Sequence, residues 1–195
     1  MGIEIRNARN PGSDADNRRA DLELARRARR GDAGAFDELV LRFHRPVHRF
    51  CWRLVRSADA EDLAQDTFVR AFLHFERFDP ERPVLPWLIA IARRLCLDLL
   101  RHRKVMASAE TIPVSGPPAR GPEGEAVMQE ELSRLDRALA DLDEGPREAI
   151  VLFHMEDMSY RDIAAALEVP MGTVMTWLHR GRAQLKMALE GASTA

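Results

Sequence analysis

The chain has 195 residues, of which 46% are hydrophobic and 31% charged, and its formal net charge is −2. That length suits one large domain or two small ones, and the apolar share is enough for packed cores. No run approaches the roughly eighteen uncharged apolar residues of a membrane helix, and the first residues have no apolar signal segment. We therefore expect a cytoplasmic protein without membrane insertion, whose affinity for nucleic acid, if any, comes from local charge.

Apolar residues recur at helical spacing in two blocks, residues 22–104 and 129–190, and no segment alternates like a strand. Between the blocks, residues 105–128 carry four prolines and three glycines, which cannot continue a helix and bury little surface. Residues 1–21 show no amphipathic pattern and are expected to form a mobile leader. The sequence thus predicts an all-α protein with two small helical domains joined by a flexible linker.

The second block ends in the pattern of a helix-turn-helix. Ser159 and Asp162 have the spacing of a capping box, and Pro170 suits the first turn of the next helix. Residues 171–186 carry three cations and no acidic residue, which favours contact with phosphates. The alternative is a helical hairpin with a solvated basic face. A recognition helix presents its amino-terminal half to bases and later cations to the backbone.

Two opposed charge clusters lie in the first block. Residues 59–76 hold five acidic residues against Arg70, whereas residues 87–104 hold five basic residues against Asp98. The basic segment begins at Trp87 and follows an irregular loop, residues 77–86. Cations for the backbone and a cleft for an unstacked base are what single-stranded DNA binding needs. The acidic segment requires another partner, unless it is only a solvated face.

Three stretches in this order resemble bacterial sigma factors of the extracytoplasmic-function (ECF) group of the sigma-70 family: DAEDLAQDTFVRAF, FDPERPVLPWLIAIARRLCLDLLRHRK and MSYRDIAAALEVPMGTVMTWLHRGRAQL. The resemblance runs from about residue 22 to residue 189. It implies sigma domain 2, a linker and sigma domain 4. It also implies a subunit that brings core RNA polymerase to promoters, opens the DNA by binding it, and is held inactive by an anti-sigma factor. No cofactor is implied.

The same resemblance assigns residues to three surfaces. The acidic helix docks on the clamp helices of the polymerase beta-prime subunit, and the beta flap is a second expected contact. The polymerase-binding residues are Asp62, Gln65, Asp66 and Arg70. The minus-10 residues are Phe78, Asp79, Arg82, Trp87, Arg93, Arg94 and Arg101. The minus-35 residues are Met171, Thr173, Met175 and Thr176 for bases and Arg180 and Arg182 for phosphates, and Trp177 suits either DNA contact or packing beneath the helix.

The chain departs from the family pattern at two positions. Arg94 stands where the family usually has asparagine, and Met175 stands where an arginine commonly follows Gly-Thr-Val. A missing long cation at residue 175 removes a phosphate or guanine contact worth about 1–3 kcal/mol. We therefore expect an atypical minus-35 sequence.

One set of side chains has the spacing of a metal site. His44, His48 and Cys51 share a face of one helix and offer nitrogen and sulfur ligands for zinc or copper. Three ligands on one helix leave the coordination shell incomplete, so no metal is expected, although the question stays open at this point. Cys51 and Cys96 lie in apolar helical patterns and are predicted to be buried, reduced thiols.

Other function classes have less support. The sequence has no glycine-rich phosphate loop and no ordered Ser, His and Asp set, which argues against an enzyme. A stand-alone helix-turn-helix regulator would use its first block to sense a ligand or dimerise. An adaptor would bind polymerase without DNA. The opposed charges of residues 59–76 and 87–104 favour the sigma factor.

Overall fold

The structure is a computed structural model that describes residues 11–107 and 134–191. Every element within these ranges is a helix, as predicted. The N-terminal domain contains α1 (Pro11–Arg29), α2 (Ala33–Val55), α3 (Asp59–His74), a 3-10 turn (Phe75–Arg77) and α4 (Val84–Ala107). The C-terminal domain contains α5, described over residues 134–140, α6 (Glu144–His154), α7 (Tyr160–Leu167) and α8 (Met171–Gly191). None of these helices is long and apolar enough to cross a membrane.

Helix α1 differs from the mobile leader predicted for residues 1–21. It begins at Pro11, because the first turn of a helix tolerates a residue that lacks an N–H group. Further along, Leu24 and Ala25 are buried where α1 packs on α2. Arg26 donates hydrogen bonds of 3.0 and 2.8 Å to the two carboxylate oxygens of Glu81. Residues 11–21 thus form the first part of helix α1, whose later part packs on α2, and residues 1–10 lie outside the described residues.

The predicted linker, residues 105–128, falls mostly outside the described residues. Its first three residues, 105–107, continue helix α4. They can do so because the helix-breaking residues begin only at Pro113. The predicted start of the C-terminal domain at residue 129 likewise lies outside the described residues.

Helix α2 forms the centre of the N-terminal domain and contacts α1, α3 and α4. Its amino terminus is capped by Asp32, whose carboxylate accepts a 3.1 Å hydrogen bond from the Ala35 amide. Its fully buried side chains include Val47 and Phe50. Burying apolar side chains on three neighbours holds α3 and α4 at fixed angles, which positions the surfaces described below.

The cap predicted at Ser159, at the start of α7, is confirmed. The Ser159 hydroxyl oxygen accepts a 3.2 Å hydrogen bond from the Asp162 amide, and the two side chains are 2.7 Å apart. The left-handed backbone of Glu168, with a φ of 55°, ends α7. Val174 and Leu178 of α8 are buried beneath the turn. Residues 159–191 therefore form the predicted helix-turn-helix.

Replacing Ser159 with alanine is expected to lower the free energy of unfolding by about 1 kcal/mol, because the cap is lost and the Asp162 amide loses its partner. Thermal unfolding followed by circular dichroism measures the change. Ser159→Thr keeps the hydroxyl and serves as the control. Equal melting temperatures for the alanine and threonine variants would show that the cap contributes nothing.

Candidate polymerase and DNA interfaces

Helix α3 presents an exposed stripe with acidic side chains in its first half and apolar side chains in its second half. The four predicted polymerase-binding residues, Asp62, Gln65, Asp66 and Arg70, are all exposed. Val69 and Leu73 lie on the same side of the helix and are 57% and 64% exposed. Sequence reasoning missed these two apolar residues. Solvent-exposed apolar side chains flanked by carboxylates are typical of a protein-binding surface.

The opposite face of α3 is fixed to the domain. Its buried residues include Leu63 and Phe68, and its first turn is tied to α4. The Asp59 carboxylate accepts a 2.6 Å hydrogen bond from the Ser57 hydroxyl and a 2.5 Å bond from Arg103. The Ser57 hydrogen bond and the Arg103 guanidinium lower the pKa of Asp59. The exposed stripe is therefore presented by a rigid helix.

The metal site considered for His44, His48 and Cys51 is not assembled. The Nε2 atoms of His44 and His48 lie 3.2 and 3.6 Å from the two carboxylate oxygens of Glu61. Cys51 instead points into the core, where its thiol is hydrogen-bonded to Cys96. That hydrogen bond and burial raise the pKa of the Cys96 thiol. Within residues 11–107 and 134–191, no three His, Cys, Asp or Glu side chains converge as metal ligands.

Two aromatic residues of the predicted minus-10 group lie deeper than expected. Phe78 is buried, with its ring centroid 4.8 Å from that of Trp87 and 5.3 Å from that of Phe75. Trp87 is half-buried against the same rings. Phe78 therefore supports the loop from inside and offers no free face to a base. The resemblance assigns Phe78 in the loop and Trp87 at the start of the helix by their places in the motif, which do not show which rings pack into the core.

The polar minus-10 residues are accessible. Asp79 and Arg82 are exposed and 3.4 Å apart in the loop. Arg94 and Arg101 are exposed on α4, where Arg101 also pairs with Asp98 at 2.7 Å. A cleft of about 380 Å³ lies between α4 and α7 and is lined by Ala90, Arg93, Arg94, Leu97, Asp98, Arg101, Ala166 and Glu168.

The minus-35 residues separate into two groups. Met171 and Met175 are each 52% exposed, and Thr176 and Arg180 are exposed with them. They form an open edge along the amino-terminal half of α8. Thr173 is half-buried at the start of the helix. The open edge has the position that a recognition helix needs for base contact.

Trp177 and Arg182 instead fasten α8 to α6. A Cβ atom on Gly145 would lie 2.6 Å from the Trp177 ring, so only glycine allows this ring to pack there. The Nε atom of Arg182 donates a 3.2 Å hydrogen bond to His154, and its guanidinium lies 5.0 Å from the Phe153 ring centroid. Trp177 and Arg182 thus make packing contacts within the C-terminal domain, and their contact with DNA stays a prediction.

The two domains are in direct contact through arginines of the N-terminal domain and carboxylates of the C-terminal domain. Arg93 of α4 donates to both carboxylate oxygens of Glu148 at 2.9 and 3.0 Å and pairs with Glu144 at 3.2 Å. Arg49 of α2 makes two hydrogen bonds of 2.7 Å to Glu156. Arg93, one of the predicted minus-10 residues, is thus paired with carboxylates of the C-terminal domain.

Burial raises the pKa of Glu148 from 4.5 to about 7, although the nearby Arg93 acts in the opposite direction. A carboxyl that binds its proton more tightly in the packed state contributes stability fully below pH 4.5 and loses it as the pH rises through about 7. We expect this contribution to fall by about 2 kcal/mol between pH 5.5 and 8. Urea unfolding of the protein and of Glu148→Gln at both pH values measures it. The same pH dependence in both proteins would contradict the assignment.

Comparison with known proteins agrees with this architecture. The family model of Sigma-70 region 2 matches residues 39–105, and that of Sigma-70, region 4 matches residues 132–185. The ECF RNA polymerase sigma factor SigW of Bacillus subtilis is 31% identical over 175 residues, which cover 84% of this chain and 94% of SigW. The chain belongs to the ECF group of the sigma-70 family. The predicted resemblance is confirmed.

Other sigma factors are similar over their whole length. The sigma factor CnrH of Cupriavidus metallidurans is 34% identical over 184 residues, 89% of this chain and 96% of CnrH. Its solved structure, in complex with the cytosolic domain of CnrY, matches with a TM-score of 0.69 over 88% of this chain and 98% of that one. RpoE of Bartonella quintana, solved with the anti-sigma factor NepR, is 27% identical, with a TM-score of 0.68 over 80% and 96% of the two chains. The predicted all-α, two-domain fold is confirmed.

Proposed function

We propose that this sigma factor binds core RNA polymerase, recognises the minus-10 and minus-35 elements of its promoters and promotes DNA melting, under the control of an anti-sigma factor. The observation that carries the proposal is the presence, on one chain, of the exposed acidic and apolar stripe of α3 and the open edge of α8. The first suits a protein partner and the second suits duplex DNA. A stand-alone regulator has no need of the α3 stripe.

Polymerase docking is assigned to the α3 stripe. Asp62 and Asp66 supply charge that steers association and sets orientation. Val69 and Leu73, which sequence reasoning did not include, supply the apolar area that is removed from water on binding. We propose the clamp helices of the beta-prime subunit as the partner of this stripe, with the beta flap as a contact of the C-terminal domain.

Minus-10 binding is assigned to the basic side of α4 and the loop before it. Arg94 and Arg101 are positioned for backbone phosphates, and Asp79 and Arg82 border the loop. Melting then follows from binding, because contacts to an unstacked base and to its backbone offset the few kcal/mol that unstacking costs. The chain itself makes and breaks no covalent bonds. Catalysis belongs to the polymerase, in the cytoplasm where that enzyme works.

Minus-35 recognition is assigned to the open edge of α8. Met171 and Met175 offer apolar contact to thymine methyl groups, Thr176 offers a hydroxyl, and Arg180 reaches the phosphate backbone. The Thr176 hydroxyl donates a 2.9 Å hydrogen bond to the Gly172 carbonyl, so its oxygen remains available as an acceptor. An apolar edge in place of a cation favours an A·T-rich minus-35 sequence.

An anti-sigma factor is the proposed regulator. RpoE of Bartonella quintana was solved with the anti-sigma factor NepR and CnrH with the cytosolic domain of CnrY. Both structures match this chain over at least 80% of its length. A partner that covers the α3 stripe would exclude polymerase by occupying its apolar residues.

Abortive transcription tests the proposed function. Purified bacterial core RNA polymerase is supplied with a library of promoter fragments and this protein, and with no protein as the control. Initiation at a subset of fragments that depends on the protein is the expected result, and those fragments define the minus-35 and minus-10 sequences. No protein-dependent initiation, with binding of duplex DNA in the absence of polymerase, would indicate a stand-alone regulator instead.

A further inference from the structure

We propose that Arg26 of α1 is a positioning residue for minus-10 recognition: its ion pair with Glu81 holds the minus-10 loop, residues 78–83, in the shape that receives an unstacked base. The inference rests on the proposed function, because it takes this loop to border the minus-10 site. Neither residue belongs to the minus-10 group predicted from the sequence. Helix α1 also precedes the matched Sigma-70 region 2, which begins at residue 39.

The contact between Arg26 and Glu81 is two-pronged. Two guanidinium nitrogens of Arg26 donate to the two carboxylate oxygens of Glu81 at 3.0 and 2.8 Å, across 55 positions of sequence. This hydrogen bonding raises the pKa of Arg26 and lowers the pKa of Glu81. Paired N–H···O bonds fix the relative orientation of two side chains as well as their distance. Glu81 is therefore held in one place relative to α1.

The arginine side of the contact is rigid. Leu24 and Ala25, the two residues before Arg26, are buried in the core of the domain. The next residue, Arg27, donates a 2.9 Å hydrogen bond to Asp32, which caps α2. Because its neighbours on both sides are fixed, Arg26 reaches the loop from a fixed point of the domain.

The glutamate side of the contact lies at the exposed tip of the minus-10 loop. Both ends of the loop are anchored by buried apolar residues, Phe78 and, at the start of α4, Val84. Between them, Asp79, Glu81 and Arg82 are exposed. The Glu81 amide donates a 3.1 Å hydrogen bond to the Asp79 carboxylate, which also lies 3.4 Å from Arg82. Fixing Glu81 therefore fixes the two polar residues that border the minus-10 site.

An ordered loop binds a base more tightly than a mobile loop, because less conformational entropy is lost on binding. The pair is partly exposed, Arg26 by 41% and Glu81 by 65%, so its effect on minus-10 binding should be about threefold to fivefold. The sign of the Glu81 effect is diagnostic. Removing an acidic side chain beside DNA strengthens binding if only charge matters. Positioning instead predicts weaker binding.

Loop order is measured first in the free, full-length chain, without polymerase or DNA. Backbone NMR relaxation gives the order parameter of the Arg82 amide, which should be about 0.85 in the unsubstituted protein, as in rigid backbone. Arg26→Ala and Glu81→Ala should both lower it to about 0.6 or less, as in flexible backbone. The charge swap Arg26→Glu with Glu81→Arg should restore the higher value.

The effect on DNA binding is measured with holoenzyme that contains core RNA polymerase and each full-length variant. The probe is the fluorescein-labelled non-template strand of the minus-10 element from a promoter selected by abortive transcription. Fluorescence anisotropy should show about threefold to fivefold weaker binding for Arg26→Ala and for Glu81→Ala, and recovery in the charge swap. The affinity of both variants for core polymerase should stay within about twofold, because the α3 stripe of the same domain remains intact.

Glu23→Ala is the matched control. Glu23 is an exposed carboxylate of α1 that lies 3.7 Å from Arg26 and 3.8 Å from Arg30. The substitution makes the same change of charge as Glu81→Ala and leaves the contact between Arg26 and Glu81 in place. It should leave the loop ordered and minus-10 binding within about twofold of the unsubstituted protein.

Three outcomes would overturn the positioning role: unchanged loop order in both alanine variants, single-strand binding by Glu81→Ala that equals or exceeds that of the unsubstituted protein, or a charge swap that fails to restore binding. The last would place Arg26 on the DNA backbone itself. A loop that loosens in both variants of a chain that never initiates transcription would refute the proposed function, while the contact between α1 and the loop stands. Transcription by a chain whose loop is unaffected by either substitution would refute the positioning role alone.

Discussion

Reversing the charge of Asp66 is expected to weaken binding of this sigma factor to core RNA polymerase about tenfold or more. Asp66 is exposed beside Asp62 and Val69 on the α3 stripe. Placing a cation there turns an attractive contact with a basic partner into a repulsive one, and such like-charge contacts cost several kcal/mol. Fluorescence anisotropy of the labelled protein, titrated with core polymerase, measures the dissociation constant of Asp66→Arg.

Asp141→Arg is the control for Asp66→Arg. It makes the same change of charge at an exposed aspartate, but in the C-terminal domain. We expect its affinity for polymerase to stay within about twofold of the unsubstituted protein. The free energy of unfolding of Asp66→Arg should change by no more than about 0.5 kcal/mol, as is usual for a surface substitution. Unchanged polymerase binding by Asp66→Arg would remove α3 from the docking surface.

Features encoded by neighbouring residues were predictable from the sequence. The cap of α7 requires only that the Ser159 hydroxyl lie three residues before the Asp162 amide. The turn after α7 is likewise encoded by the few residues between Leu167 and Pro170. The charge clusters of residues 59–76 and 87–104 are also local. Helices, turns and charged faces follow from such short-range patterns. The order of the helices and the two-domain organisation could therefore be predicted.

The roles of individual side chains depended on contacts that no short-range pattern contains. Phe78 and Trp177 were predicted to contact DNA, but tertiary packing places the first in the core and the second over Gly145. Arg93 meets Glu148 across 55 positions of sequence. Nothing in either helix alone indicates that pair. Such contacts follow from the packing of whole helices and not from helical periodicity.

The α3 stripe shows a second limit. Phe72 lies one residue after the buried Ala71, yet it is 59% exposed and its ring centroid lies 5.2 Å from that of Phe36. A helix that is apolar on two sides uses one side for the core and keeps the other for a partner. A useful signal was available: Val69 and Leu73 are four residues apart and lie outside the stripe formed by Leu63 and Phe68.

Reversing the charge of Arg180 is expected to reduce transcription from promoters that depend on the minus-35 element about tenfold. Arg180 is exposed on α8, at the end of the open edge that contains Met175 and Thr176. A cation at this position pairs with the DNA backbone, so a carboxylate there repels the phosphate. The effect of Arg180→Glu should be similar for all minus-35 sequences, because phosphate contacts carry no base preference. Abortive transcription on a panel of minus-35 variants measures both properties.

Lys186→Glu provides the matched control on the same helix. Lys186 is exposed and lies 3.9 Å from Glu190, more than one helical turn beyond the open edge. We expect its loss of transcription to be less than about threefold, since electrostatic effects on exposed groups fall off within a Debye length of about 8 Å. Equal losses for Arg180→Glu and Lys186→Glu would mean that the net charge of α8, and not the position of Arg180 beside the open edge, determines binding. A change in the preferred minus-35 sequence with Arg180→Glu would instead assign Arg180 to base recognition.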